Sequence, residues 1–495
     1  MMDVTGSGHP ISSENEVLEA LSMILHRMPR VILVIDGVDE CRNPQEFLSQ
    51  LHSACQGTPS RLLLLCRPSV IFPGCYRQAS GSGGYMTELG LSSSRNCQDI
   101  AHYLRPKIED LLRSGLLDGK LPSDFIVEAI LSRANRMFLW TELVVQYLGC
   151  FALSPDERTD AILNLNLLEG LESLYSKILQ LLRTRFPAER ELCFLTFQFL
   201  SVVLRPMNVD EIQSYLIVHS ESRGVSKPNA IPNFEETLRV TSGGLLEIRC
   251  DKVIGFIQTS VIEFLTSHGH CNSEFYISLK SANLSVARVC VSYLRSSGRP
   301  GPLSGTPEEP ISRSKLQKSL PLVAYACQFW PTHAAEALRS LNRNDSNYDF
   351  ILCLSKFLSD HLRMTGWLEA IWVMGVSNDV EVRLRGAAMA RYIFDHPGSY
   401  LLAKAVSVCE EMEKLSIELQ NLRQDWSQVL KSYPNKVWGD TVSAYGESKF
   451  FFRTPATRVD FVRPNAHSTR RSILITSQVS QDGSRIGIIK VLPNE

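Results

Sequence analysis

Three carboxylates stand together near the start of the chain. The apolar run Val31-Ile-Leu-Val-Ile35 leads straight into Asp36-Gly-Val-Asp-Glu-Cys41, so Asp36, Asp39 and Glu40 follow the last apolar residue closely. Carboxylates in that position can hold Mg²⁺ directly or through water, and can orient a water molecule against a phosphate. Asp36 is the candidate metal ligand, and Asp39 and Glu40 are the candidate catalytic groups. The same pattern also suits a buried strand that leaves the core through an Asp-Gly turn.

The elements around these residues decide whether the chemistry is positioned. A short unbroken apolar run predicts a strand buried on both faces, as in a parallel sheet, where ligands gather at the C-terminal ends of the strands. Before it, Ser13-Glu-Asn-Glu16 has capping-box spacing and opens a helix with Val17, Leu18, Leu21, Ile24 and Leu25 on its apolar side; Pro29 ends it. After it, Pro44 to Cys55 reads as a helix, and Ser60-Arg-Leu-Leu-Leu-Leu-Cys-Arg-Pro68 as a second strand. A right-handed βαβ unit sets the two strand ends side by side, so Arg67 points at the same edge as Asp36. Arg67 also fits an ordinary surface strand end.

At 495 residues the chain is too long for one core and predicts two to four domains. It is 44% hydrophobic and 21% charged, and 51 basic residues nearly cancel 52 acidic ones. Near neutrality gives no global electrostatic case for nucleic acid or an anionic membrane. Thirteen cysteines are scattered singly with no Cys-x-x-Cys pair, which argues for thiols in a reducing compartment rather than a disulfide framework or structural zinc. No apolar run reaches membrane-spanning length and no signal-peptide core is evident, so a cytoplasmic location is expected.

Residues 1–11 read as a Gly-, Ser- and Pro-rich lead-in, and Gln78 to Gly84 as a flexible loop, with Thr87 to Leu91 a possible short strand. Residues 105–200 carry helical periodicity throughout; Trp140 and Tyr175 read as core. Thr241-Ser-Gly-Gly-Leu-Leu-Glu-Ile-Arg249 and Lys252-Val-Ile-Gly-Phe-Ile-Gln258 alternate like a hairpin, and Ser260-Val-Ile-Glu-Phe-Leu265 returns to helix. That order predicts a small winged-helix module. Residues 284–430 are helical and rich in Leu and Ala without a fixed repeat. Met412, Leu415, Leu419 and Leu422 mark a long surface or partner-binding helix. From Trp438 onward Ser472-Ile-Leu-Ile-Thr-Ser477 and Arg485 to Leu492 look like strands, an edge resembling one β-propeller blade. Arg453, Arg458, Arg463, Arg470 and Arg471 lie among Phe450, Phe451, Phe452 and Phe461, a mix that suits single-stranded nucleic acid or solvated arginines on a half-buried sheet.

Val31 to Cys41 resembles the Walker B segment of NACHT-type STAND NTPases, closest to fungal NOD-like receptor proteins with a nephrocystin-type N-terminal NTPase domain. The resemblance covers roughly residues 12 to 375. It implies that Arg67 senses the terminal phosphate, in a Ser-Arg-Pro segment where this chain has Cys66 for the Ser. Asn96 to Leu104 resembles the helix that opens the family's helical lid. Arg136-Met-Phe-Leu-Trp140 resembles its Gly-Met-Phe-Leu-Trp helix, and Leu171-Glu-Ser-Leu-Tyr175 its Leu-x-x-Leu-Tyr helix. Val289 to Leu294, Pro321 to Trp330 and Trp367 to Gly375 resemble the helical segments that follow the winged helix. At the position of a His that can contact nucleotide, this chain carries Gln258, which can donate a hydrogen bond but cannot protonate.

The expected fold class is an α/β partial P-loop NTPase core (12–95), followed by a helical lid (96–200), a winged-helix-like module (201–275), a helical region (284–435) and a β-rich tail (438–495). No glycine cluster, including Gly6-Ser-Gly8 and Gly81-Ser-Gly-Gly84, fits Gly-x-x-x-x-Gly-Lys-Ser/Thr. Only 35 residues precede Asp36, so the chain is expected to begin inside the NTPase domain or to have lost its first βα unit. Without a phosphate anchor Asp36 would hold Mg²⁺ weakly. The leading expectation is a STAND/NACHT-derived signalling or scaffold protein that works through other proteins or self-association and does not hydrolyse ATP or GTP efficiently. The alternatives are an ATP- or GTP-binding NTPase, with Mg²⁺, whose P-loop lies outside this chain, and a nucleic-acid-binding winged-helix protein.

Overall fold

The computed structural model describes residues 14–28, 30–41, 43–66, 70–72, 76, 87, 89, 93–117, 119–135, 137–150, 153–165, 170–222, 230–267, 274–296, 301–339, 348–390, 400–439, 448–452, 474–479 and 486–491. Within them the protein is mostly helical with a few small strands. Arg67, the 78–84 loop, the strand expected over 87–91 and the arginines from 453 to 471 lie wholly or largely outside the described residues.

The first unit is small. Helix α1 (Glu14–Arg27) lies against α2 (Pro44–Cys55), and strands β1 (Ile32–Ile35) and β2 (Arg61–Leu64) pair in parallel, with Ile32 opposite Arg61 and Ile35 opposite Leu64. Pro44 suits the first turn of α2, where its missing N–H has no helical partner to lose. Val38, Leu48 and Tyr76 form the buried centre, with Ile35, Phe47, Leu62 and Leu64 packed around it. The Tyr76 hydroxyl donates to the Leu48 carbonyl at 2.9 Å.

Among the described residues the two strands are covered on one face only. Ile32 is 65% exposed and Val34 61%, and Leu63 and Leu65 also face water. Burial on both faces, expected from the unbroken apolar run, is therefore not what the strands have. Alternate side chains point to opposite faces, and α2 lies over only one of them.

The helical body begins with α3 (Ser93–Arg113), α4 (Ser123–Arg133), α5 (Phe138–Leu148), α6 (Pro155–Leu163), α7 (Leu171–Arg183) and α8 (Pro187–Leu200). Ser154 and Glu157 close a reciprocal capping box at α6. Arg158, buried, donates to the Leu148 and Cys150 carbonyls at 2.7 Å each and so ends α5. Trp140 and Tyr175 are fully enclosed in this core.

Next come β3 (Met207–Asn208), α9 (Val209–Ser222), α10 (Phe234–Thr241), β4 (Leu246–Ile248), β5 (Val253–Phe256) and α11 (Thr259–Thr266). The three strands form an antiparallel sheet in the order β3–β5–β4. Asn208 caps α9: its Oδ1 accepts from Glu211 N at 2.9 Å and Glu211 Oε2 accepts from Asn208 N at 3.0 Å. The turn into β4 needs its glycines. Gly243 and Gly244 have φ of 61° and 80°, and a Cβ on Gly243 would lie 2.8 Å from Ile178 of α7.

The remaining helices are α12 (Leu279–Ser296), α13 (Arg313–Ser319), α14 (Val323–Arg339), α15 (Tyr348–Leu358), α16 (His361–Met374), α17 (Ser377–Ala388) and α18 (Tyr400–Ser432). They share one continuous core with α3 to α11. Met412, Leu415 and Leu419 of α18 are buried in it, and α18 packs on α17. The apolar stripe expected to serve a surface or a partner is thus spent inside the chain, because α17 and α15 lie along it. A 3-10 turn (Pro434–Trp438) follows, and β6 (Leu474–Val479) pairs antiparallel with β7 (Ile486–Val491).

Candidate functional site

The C-terminal edge of β1–β2 carries Asp36, Asp39 and the backbone of Glu40. Gly37, at φ 72°, turns the chain left-handed immediately after Asp36, and Val38 to Glu40 form a single 3-10 turn. Few residues besides glycine adopt that φ without strain. Val38 N donates to the Leu65 carbonyl at 3.2 Å, and Leu65 N to Ile35 O at 2.8 Å. The turn bearing Asp36 and Asp39 is therefore stitched to the end of β2, beside Cys66. Asp36 is exposed and Asp39 half-buried. The backbone of Glu40 lies in the same turn; its side chain, and Arg67, are outside what is described.

Asp36 and Asp39 could supply the carboxylates of a magnesium nucleotide site, but not the anchor for its phosphates. Mg²⁺ takes about six oxygens in an octahedron and leans on substrate phosphates. One or two carboxylates are what a protein usually gives such an ion, with water and phosphate oxygens completing the shell, so a group that holds the phosphates is what these residues would still need. Among the described residues no group of three His, Cys, Asp or Glu side chains could hold a metal ion.

Gln258 is tied elsewhere. It stands at the N-terminus of α11, exposed, and its Oε1 accepts from Ser260 Oγ at 3.1 Å. Ser260 Oγ meets the Tyr175 hydroxyl at 3.0 Å, and the Tyr175 and Phe264 rings lie 5.5 Å apart. The described hydrogen bonds of Gln258 thus run into the helical body through α7, and none reaches the carboxylate turn. Comparison with protein-family models, with curated proteins and with solved structures finds no match to this chain.

Two buried polar clusters escaped the sequence reading. His333 of α14 is fully enclosed; its Nε2 meets the Tyr325 hydroxyl at 2.8 Å and its Nδ1 meets Asn283 Oδ1 at 2.7 Å. Asn283 Nδ2 donates to Leu279 O, which fixes Oδ1 as an acceptor. Nδ1 must then carry the proton, and Nε2 accepts from Tyr325. Burial, helped by Arg383, pushes the His333 pKa down to about 3. Tyr325 also accepts from Leu204 N at 3.4 Å, and Arg205, paired with Glu211 at 2.5 Å, lies over its ring. This cluster pins the segment before β3 to α12 and α14.

The second cluster is Glu369 of α16. Its Oε2 accepts from Trp438 Nε1 at 2.7 Å and from Leu303 N at 2.9 Å. Its Oε1 is buried with no hydrogen-bond partner. Burial raises its pKa, against the two N–H donors. The signal in the sequence was a lone carboxylate inside Trp367-Leu-Glu-Ala-Ile-Trp-Val-Met-Gly375. A charge within so apolar a helix needs fixed partners. Asn435 Nδ2 to Pro307 O at 2.8 Å and Phe452 N to Thr365 Oγ1 at 2.7 Å hold the same C-terminal stretch against the same region.

Proposed function

We propose that the chain is a NACHT-like, STAND-derived signalling or scaffold protein that acts through protein–protein contacts and carries an incomplete nucleotide site. The observation that carries this reading is the juxtaposition at one sheet edge. A parallel β1–β2 pair delivers Asp36 and Asp39 beside the end of β2, the one or two carboxylates that a magnesium nucleotide uses, while no glycine cluster of the sequence fits the phosphate-binding loop that such a site also needs. The run of helices after that unit and the β3–β5–β4 sheet flanked by α8, α9, α10 and α11 support reading 96–200 as a lid and 201–275 as a winged-helix module. A cytoplasmic location is part of the same proposal, resting on the scattered cysteines and the lack of an evident signal-peptide core. Among the described residues no helix is long and apolar enough to cross a membrane.

Calorimetric titration of the chain with Mg²⁺-ATP and with Mg²⁺-GTP tests the reading. No heat of binding in the micromolar range is expected. Micromolar affinity would overturn it in favour of a working NTPase, the alternative supported by the same pairing of strand ends. The nucleic-acid alternative gains nothing from α10, which exposes Glu236 and pairs Arg239 with Glu235 at 3.0 Å.

A further inference from the structure

We propose that two copies of this chain associate by exchanging α1, each laying the exposed apolar stripe of that helix on the bare face of its partner's β1–β2 sheet. The inference supplies a partner for the scaffold reading above and rests on that reading.

Two unpartnered apolar surfaces occur on the same small unit. The first is flat. Val34 and Leu63 are cross-strand neighbours, Ile32 and Leu65 extend their row on the same face, and Arg61, opposite Ile32, borders it with a charge. The second is a ridge. Val17, Ile24 and Met28 are 55%, 52% and 53% exposed, and spacings of seven and four residues put them on one side of a helix with Leu21 between. Leu25, roughly 60–100° round the helix from these three, is the buried flank of the same apolar side. Since both surfaces are exposed, neither covers the other within one copy.

Their shapes and sizes match. A parallel sheet is ordinarily sheathed by helices on both faces, and among the described residues only α2 provides one. Two strands about 4.8 Å apart present a face about one helix wide. The stripe from Val17 to Met28 runs roughly 16 Å along the helix axis, against roughly 13 Å for a four-residue strand. Seven aliphatic side chains, each about half exposed, offer on the order of 400 Å² of apolar surface per copy. That is most of the apolar share of a standard interface, which buries about 800 Å² per partner with a little over half of it apolar. A two-fold arrangement uses both surfaces of both copies and closes, leaving no further copy to recruit.

Sedimentation velocity of the full chain at roughly 1 to 100 μM tests this, over the concentration range in which an interface of this size commonly associates. A dimer is expected. Val34→Lys and Ile24→Glu, both at exposed positions, should each give a monomer with an unchanged far-UV circular dichroism spectrum. An equimolar mixture of the two variants should recover a dimer. One of its two contacts sets the introduced carboxylate against the introduced ammonium, and the other contact is native on both sides. A wild-type monomer throughout the range, a dimer indifferent to either substitution, or a mixture that stays monomeric overturns the exchange. Nucleotide affinity decides the scaffold reading separately: a monomer that binds no nucleotide removes the exchange and leaves that reading in place.

Discussion

The β1–β2 unit and the helical body solve the same problem with opposite results. Both are built from Leu, Ile, Val and aromatic residues. In the helical body, helices from α3 to α18 contribute to one core, and residues such as Trp330, Phe357 and Trp367 pack edge to face inside it. In the β1–β2 unit the buried centre among the described residues is Val38, Leu48 and Tyr76, and Ile32, Val34 and Leu63 of the strands stand in water. Burial is set by how many neighbours an element has, not by how apolar it is. A helix in a crowded body meets partners on several sides, whereas a two-stranded sheet with one covering helix keeps a bare face.

The contrast can be broken most sharply in the helical core. Trp330→Ala should cost about 3–5 kcal/mol, read by urea unfolding, because the vacated volume has packed neighbours that cannot collapse into it. A cost below about 1 kcal/mol would mean that the body is far looser than its burial implies.

Glu369→Leu comes next. It leaves the Trp438 and Leu303 N–H groups buried without an acceptor, at roughly 2–4 kcal/mol for the pair. Glu369→Gln keeps an acceptor and should cost much less. Because the folded-state pKa of Glu369 is raised, its ionisation opposes folding as pH rises, and the wild type should gain on the Gln variant as pH falls toward the ordinary carboxylate range. An unchanging difference across pH 7.5 to 4.5 would contradict this.

His333 has the opposite sign. Its folded-state pKa is lowered, so the unfolded chain takes up a proton that the native state refuses. Stability should fall as pH drops through the ordinary His value toward about 3. At pH 5 the loss should be roughly 2 kcal/mol relative to pH 7.5. His333→Gln should flatten that part of the profile, as measured by thermal unfolding at matched ionic strength.

The smallest effect belongs to the exposed strand face. Val34→Ala in the monomer should change stability by less than about 0.5 kcal/mol, despite removing a strand aliphatic. A cost near that of a core deletion would show that the face is covered in solution.

Much of the local structure was legible in the residues. The apolar runs before Asp36 and before Cys66, with a helix between, required a parallel pair whose ends lie together, and Ile35 does sit opposite Leu64. Asp36-Gly37 announced its own turn. The lone Glu369 in an apolar helix is a readable signal that the sequence expectations did not include. The His333 cluster was not legible, since Asn283, Leu204 and Tyr325 come from three separate segments of the chain.

By itself, then, the sequence determined the main helices and strands among the described residues, and that three carboxylates follow β1, because period and turn chemistry act over a few residues. Only the tertiary structure decided that one face of β1–β2 is bare, that α18 spends its stripe inside the body, and that Gln258 answers to Tyr175 through Ser260 rather than to the carboxylate turn. Burial and side-chain partnership depend on elements distant in the chain, and no local pattern of residues encodes which of them arrive.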